Sequence, residues 1–109
     1  MPPAKDRLHG TLDILILKTL SWGPRHGYAI ARWVEDTSKA EIAVEAGSLY
    51  PALYRMEQRG WIEAEWGMSE LGRKAKFYTL TRAGRAQLKR ESAEYERFTH
   101  AVLRILMAS

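Results

Sequence analysis

The stretch "GSLYPALYRMEQRG" (47–60) carries side chains whose hydrogen-bonding groups suit nucleic-acid bases. At about 100° per residue along a helix, Tyr54, Arg55 and Gln58 fall on one side together with Pro51. Arginine pairs with guanine, glutamine pairs with adenine, and aromatic or proline edges contact the thymine methyl group. The opposite, apolar side comprises Leu49, Ala52, Leu53 and Met56. The pattern predicts a helix over 48–59 with a core face and a base-reading face.

Two residues near the start of this helix suit phosphate rather than bases. Ser48 is the predicted N-cap and carries a hydroxyl, and Tyr50 lies at the edge between the two faces. Helix N-termini favour anions, so both residues are candidate DNA contacts. Packing against the segment that follows is the alternative for Tyr50 and Tyr54.

Positive charge is concentrated in one part of the chain. The net charge is +4, and residues 61–90 alone carry seven Lys and Arg against three Asp and Glu. Within that stretch Arg73, Lys74 and Lys76 surround a polar, glycine-containing turn. Flexible cations on a turn position a protein on the DNA backbone, and a solvated charge cluster is the alternative.

The segment "RHGYAI" (25–30) is a weaker candidate for backbone contact. Gly27 permits close approach at the start of a helix whose amides can hold a phosphate, with His26 and Tyr28 beside it. A structural turn with a packed tyrosine explains the same residues. Lys18 is a further candidate phosphate contact.

Other chemistry finds little support in the sequence. The chain has no cysteine, and His9, His26 and His100 are too far apart in sequence to predict a metal site. No catalytic spacing or cofactor motif is present, so we expect neither an enzyme nor a cofactor. No apolar run is long enough for a membrane span and no signal peptide is evident, which favours a cytoplasmic protein.

The remaining elements follow from periodicity and capping residues. Helices are predicted at 11–21, with Thr11 as N-cap, and at 26–38, with core positions Tyr28, Ile30, Ala31 and Val34. The linker 39–46 contains a candidate short strand at Ile42 and Val44. "WIEAEWGMS" (61–69) alternates as a half-buried strand, with Ile62, Ala64, Trp66 and Met68 on the inner face, and 75–80 returns as its hairpin partner.

Thr81 is the predicted cap of a last helix that reaches the C-terminus. An apolar stripe along this helix is longer than a small domain can cover, and consists of Leu88, Tyr95, Phe98, Val102, Ile105 and Leu106. A protruding apolar stripe predicts a second copy of the chain as partner. Folding of Tyr95 and Phe98 back onto their own domain is the alternative.

The predicted fold class is mainly α with a small β-hairpin: a winged helix-turn-helix plus a long C-terminal dimerisation helix. Residues 1–80 would form the DNA-binding domain and 81–109 the dimerisation helix, as one structural unit. In such folds the third helix enters the major groove and the hairpin, or wing, lies on the backbone.

The chain resembles the PadR-type transcriptional regulators in their short form with one C-terminal helix. The resemblance rests on "GTLDILILKTLSWGPRHGYAIARWVE" (10–35), "EAGSLYPALYRMEQRGWIEAEW" (45–66) and "GRKAKFYTLTRAGRAQL" (72–88). It implies a homodimer that binds double-stranded DNA and represses nearby genes, often released by a small aromatic or amphipathic ligand. Some of the four tryptophans are candidates to line such a ligand cavity.

We therefore expect a homodimeric, sequence-specific DNA-binding repressor. A winged-helix module that docks an acidic protein, and a small-molecule sensor without a DNA role, remain the alternatives. RNA is a weaker candidate because the sheet lacks a face of exposed stacking aromatics.

Overall fold

A computed structural model describes the backbone of residues 4–109 and the side chains of residues 10–109, so the side chain of His9 lies outside the described part. The helices are α1 (Ala4–Thr19), α2 (Gly27–Thr37), α3 (Ala46–Gln58) and α4 (Arg82–Leu106), and a 3₁₀ turn (Leu20–Trp22) follows α1. The strands are β1 (Arg25–His26), β2 (Ile62–Met68) and β3 (Lys74–Leu80), which form one antiparallel sheet in the order β1-β3-β2. The predicted fold class is confirmed.

The core forms where α1, α2, α3 and the base of the hairpin meet. All four predicted core residues of α3 are buried, and they pack with Ile16, Leu17, Leu20, Ile30, Ile62, Tyr78 and Leu80. In α2 the prediction holds for Ile30 and Val34, which are buried, whereas Tyr28 is 64% exposed. Tyr28 is not a core residue, because it lies on the outer side of α2, away from Ile30.

Two predicted helix caps are wrong. Thr11 lies inside α1, which begins at Ala4, and its hydroxyl donates a hydrogen bond of 3.0 Å to the phenolic oxygen of Tyr95 in α4. Ser48 lies in the first turn of α3, whose N-cap is Glu45, and the Ser48 amide donates to the Glu45 carbonyl. α1 begins before Thr11 and packs along α4. α3 begins before Ser48 because the Glu45 carbonyl accepts the first amides of the helix.

The linker between α2 and α3 contains no strand, so that prediction is also wrong. Lys39 and Ala40 adopt left-handed φ values of 55° and 66°, and Ile42 and Val44 have no strand partner. The free edge of β3 pairs instead with β1, where Arg25 faces Tyr78 and His26 faces Phe77.

The hairpin is confirmed, with Ile62 opposite Leu80 and Met68 opposite Lys74. Its predicted inner face is buried only at the base. Ile62 is 1% exposed, whereas Trp66 is 61% and Met68 is 67% exposed. The distal half of the hairpin projects beyond the core, so the apolar residues of the alternating pattern are exposed there.

The start of α4 is fixed against the hairpin. The Thr81 hydroxyl accepts a hydrogen bond from the Gly84 amide, which confirms this cap, and donates to the Gly60 carbonyl. A Cβ on Gly84 would overlap the Trp61 carbonyl oxygen, so only glycine allows this approach. From here α4 runs past the core and packs along α1.

Candidate nucleic-acid interface

The exposed face of α3 is centred on Tyr54. This tyrosine is 66% exposed, and Pro51 and Gln58, its neighbours on the helix surface, are also exposed. The buried residues of α3 hold the helix from the opposite side, so the exposed face is fixed by the core rather than by its own contacts. The Tyr54 ring edge, the Gln58 amide group and the Pro51 ring are the kinds of group that contact base edges in the major groove.

Arg55 lies on the flank of α3 that faces α1. Its Nη2 atom is 2.6 Å from Oδ1 of Asp13, and the two side chains are 39% and 15% exposed. The sequence placed Arg55 on the open face but did not link it to Asp13, 42 residues away. This ion pair occupies one of the five guanidinium N–H groups and leaves the other donors for a partner.

Tyr50 lies on the other flank of α3, over the start of α2. A Cβ on Gly27 would lie 2.6 Å from the Tyr50 hydroxyl oxygen and 2.8 Å from a ring carbon. The Tyr50 ring therefore occupies the space that a side chain at position 27 would need. Tyr50 is nevertheless 48% exposed, so one side of the ring lies against the protein and the other faces solvent.

His26 has a structural role at the start of α2. Its Nδ1 atom accepts a hydrogen bond from the Ala29 amide, and its ring packs edge-on against Phe77 at 5.3 Å. Its Nε2 atom is 3.7 Å from a carboxylate oxygen of Glu70 in the hairpin turn. Capping by histidine was missed in the sequence, where the local spacing gave no cue for it.

The three predicted wing cations differ in how they are held. Lys76 lies 3.5 Å from Glu57 of α3, which connects the wing to the helix. Lys74 lies over the Trp66 ring at 5.3 Å, a cation–π contact. Arg73 and Lys74 are exposed at the turn, and neither forms an ion pair with another described residue.

A cleft of about 920 Å³ lies between the wing and the starts of α2 and α3. Its aromatic walls are Tyr28, Tyr50, Trp66 and Tyr78, and its cationic rim is Arg73, Lys74 and Lys76. Burial raises the pKa of Tyr78, and nearby Glu57 adds to the effect, so this phenol stays neutral at ordinary pH. The cleft combines positive charge with flat apolar surfaces.

Lys18 is placed away from these cleft-lining residues. Its ammonium lies 4.8 Å from the centre of the Trp22 ring, and Trp22 packs on Trp33 at 5.2 Å. Trp22 is 61% exposed. The structure therefore gives Lys18 an intramolecular partner, beside an aromatic pair in which Trp22 is exposed and Trp33 is half-buried.

The apolar stripe of α4 divides into two parts. Leu88 packs against the core, and Tyr95 bonds to Thr11 and lies 6.5 Å from the Phe98 ring. Val102 is half-buried. At the C-terminal end Leu103 is 46% exposed, and Ile105 and Leu106 are each 74% exposed. Among the residues of this stripe, only the distal part is largely exposed in the described part of the chain.

Two other kinds of site are absent from the described part of the chain. There, no group of three or more His, Asp or Glu side chains is placed to hold a metal ion. None of the described helices is long and apolar enough to cross a membrane.

Three helices, a two-stranded wing and an exposed third helix beside a basic turn define a winged helix-turn-helix protein. Residues 16–90 match the model of the transcriptional regulator PadR-like family. The chain belongs to this family and is a transcriptional regulator of the PadR type. PadR-family regulators are not enzymes.

Individual proteins resemble this chain along most of its length. Protein X of Lysinibacillus sphaericus is 31% identical over 83 residues, 76% of each chain. A transcriptional regulator from Clostridium thermocellum has a similar structure, with a TM-score of 0.81 and 26% identity over 94% of this chain and 99% of that one. A PadR-like transcriptional regulator from Bacillus cereus gives a TM-score of 0.78 and 29% identity, covering 95% of this chain and 99% of that one.

Proposed function

We propose that this regulator is a homodimeric repressor that binds a specific sequence of double-stranded DNA. The observation that carries the proposal is the exposed α3 face around Tyr54, together with the basic wing that lies across a cleft from the start of the same helix. In this arrangement α3 enters the major groove and the wing follows the adjacent phosphate backbone.

The residues then divide by role. Tyr54, Gln58 and Pro51 contact base edges, and Arg55 contacts DNA at the border of that face. Arg73, Lys74 and Lys76 contact phosphates, with Tyr50, His26, Gly27 and Tyr28 along the same cleft. Ser48, in the first turn of α3, and Lys18 are peripheral contacts. The charge of the wing supports this division, because phosphate contacts give affinity while base contacts give selectivity.

Dimerisation is supported by the distal part of α4. Exposed Leu103, Ile105 and Leu106 on one helix are unfavourable in water and are covered when a second copy packs against them. Residues 81–109 thus form the dimerisation helix, and residues 1–80 the DNA-binding unit. Two α3 helices would then enter successive major grooves about 34–36 Å apart on a pseudo-palindromic operator.

Release by a small aromatic or amphipathic ligand completes the proposal, in keeping with the behaviour typical of this family. In the Trp22–Trp33 pair, the exposed Trp22 ring offers a flat surface to such a ligand. The proposal includes no cofactor and no membrane partner.

The test is selection of duplex DNA bound by the purified protein, followed by affinity measurements on the selected site and on a scrambled duplex. We expect a palindromic consensus, a preference of at least about 1000-fold for it, and binding that weakens steeply with salt. Equal binding of both duplexes would overturn the proposal. Salt-sensitive binding of an acidic protein without any selected duplex would favour a protein-interaction module.

A variant of Tyr54 sharpens this test. Tyr54→Ala is expected to lose about 1–3 kcal/mol on the selected site and less on the scrambled duplex, because base contacts carry the selectivity. Its fold should be unchanged, since the side chain is exposed. Equal losses on both duplexes would place Tyr54 on the backbone instead.

A further inference from the structure

The Asp13–Arg55 pair connects the helix that packs on α4 with the edge of the DNA-facing helix. Asp13 lies on α1 and Arg55 on α3, and their side chains meet at 2.6 Å. Arg55 is the helix-surface neighbour of both Pro51 and Gln58, at spacings of four and three residues. The guanidinium therefore lies at the border of the exposed α3 face, so in the proposed DNA complex its remaining donors would be within reach of DNA.

The two partners are not equally accessible. Asp13 is 15% exposed and Arg55 is 39% exposed, so the carboxylate is the enclosed member and the guanidinium is open on one side. An enclosed carboxylate keeps a cation close, because without one it remains charged in a poorly solvated position. Asp13 thus limits the directions in which the long Arg55 side chain can point.

This restriction affects selectivity rather than simple attraction. A free arginine on a DNA-facing surface finds a phosphate on any sequence and strengthens non-specific binding. An arginine whose head is fixed and partly neutralised offers a defined set of N–H donors to one place on the DNA. Such a group contributes binding free energy on the DNA sequence whose acceptors match its donors, and contributes less on other sequences.

We propose that Asp13 is a specificity-determining residue that positions Arg55 and withholds its charge from non-specific phosphate contacts. This inference rests on the DNA-binding function proposed above. In it, Asp13 acts on DNA selectivity through Arg55 and does not itself contact DNA.

The test compares Asp13→Asn with the unaltered protein on the selected operator and on a scrambled duplex, over a range of salt concentrations. Release of Arg55 should strengthen binding to the scrambled duplex and steepen its log–log salt slope by up to about 0.9, the value for one added phosphate contact. The ratio of operator to scrambled affinity should fall by about tenfold, the scale of one lost base-pair preference.

Two controls separate this role from a general change in charge or stability. Asp36→Asn removes the same charge from an exposed pair on α2, 3.9 Å from Arg32, and should leave the affinity ratio unchanged. In an Arg55→Gln background, Asp13→Asn should have no further effect on the ratio, because the group it releases is gone. Circular dichroism gives the folded fraction of each variant, and each affinity is calculated from the concentration of folded protein.

The outcomes are distinct. An unchanged ratio in Asp13→Asn, or the same fall in the Arg55→Gln background, would overturn the positioning role while leaving operator binding by the unaltered protein intact. Failure of the unaltered protein to prefer any duplex would instead overturn the proposed function itself.

Discussion

Two surfaces of the molecule lie outside the core and are built in different ways. The first is the outer side of α3 together with the wing, and the second is the distal part of α4. On the first, several polar side chains already have partners within the chain: Arg55 with Asp13, Lys76 with Glu57, and Tyr50 against Gly27. On the second, Ile105 and Leu106 project with most of their surface exposed. One surface is pre-organised, and the other is incomplete until something covers it.

This difference indicates what each surface requires from its partner. A polar surface that is held in place by internal pairs loses little conformational entropy on binding, so its contacts can select between sequences. An apolar surface gains mainly by removal from water, and it tolerates adjustment at the contact. Disrupting the second should therefore abolish assembly, whereas disrupting the first should change selectivity while assembly persists.

The largest effect is expected from Val102→Glu combined with Ile105→Glu. Burying two carboxylates in the proposed dimer contact is strongly unfavourable, so sedimentation should show monomers. Operator affinity should fall on the order of 100-fold because half of the DNA contacts are lost together, while non-specific affinity per chain changes little. Circular dichroism should show retained helix, and a dimer with normal operator binding would contradict the prediction.

The next effect is expected from Gly27→Ala. The added methyl group would lie within 3 Å of the Tyr50 ring and hydroxyl, so the ring must move away from the start of α2. We expect a loss of about 1–3 kcal/mol in the free energy of unfolding, measured in urea, and weaker operator binding with dimerisation unchanged. Gly47→Ala, which meets no atom within 4 Å, is the matched control.

A Gly27→Ala variant in which Tyr50 is also replaced by Ala should recover much of the lost stability, because the overlap is gone. If the double variant is no more stable than Gly27→Ala alone, the Tyr50 ring is not the cause.

A smaller effect is expected from replacing Lys74 and Lys76 with Gln. Operator and scrambled duplexes should both bind more weakly, and the log–log salt slope should flatten by about 0.9 for each lost phosphate contact. Lys89→Gln on α4 is the control for charge alone. A salt slope identical to that of the unaltered protein would remove these lysines from the DNA contact.

The smallest effect is expected from Tyr95→Phe, which deletes the acceptor of the Thr11 hydroxyl between α1 and α4. A loss of about 0.5–1.5 kcal/mol in unfolding free energy should follow, with the dimer retained. Thr11→Val should cost a similar amount, and the double variant should cost less than the sum. Full additivity would show that this hydrogen bond does not couple the two helices.

Much of the fold could be predicted from the sequence because its signals are local. The 3.6-residue period of Leu49, Leu53 and Met56 defined the core face of α3, and the alternation around Ile62 defined the hairpin. Thr81 capped α4 as its position before the helix indicated. The wrong expectations were Thr11 and Ser48 as caps, Tyr28 as a core residue and a strand at Ile42 and Val44. At these positions a second structure fitted the local pattern equally well, and the pattern alone did not choose between them.

The sequence by itself determined the four helices and the hairpin, which side of α3 faces the core and where the positive charge is concentrated. Each of these depends on residues within a few positions of one another. Only the tertiary structure decided that Arg55 meets Asp13, that Tyr50 covers Gly27 and that β1 extends the sheet. Those contacts join residues far apart in the chain, and they depend on how whole helices pack, which no local spacing encodes.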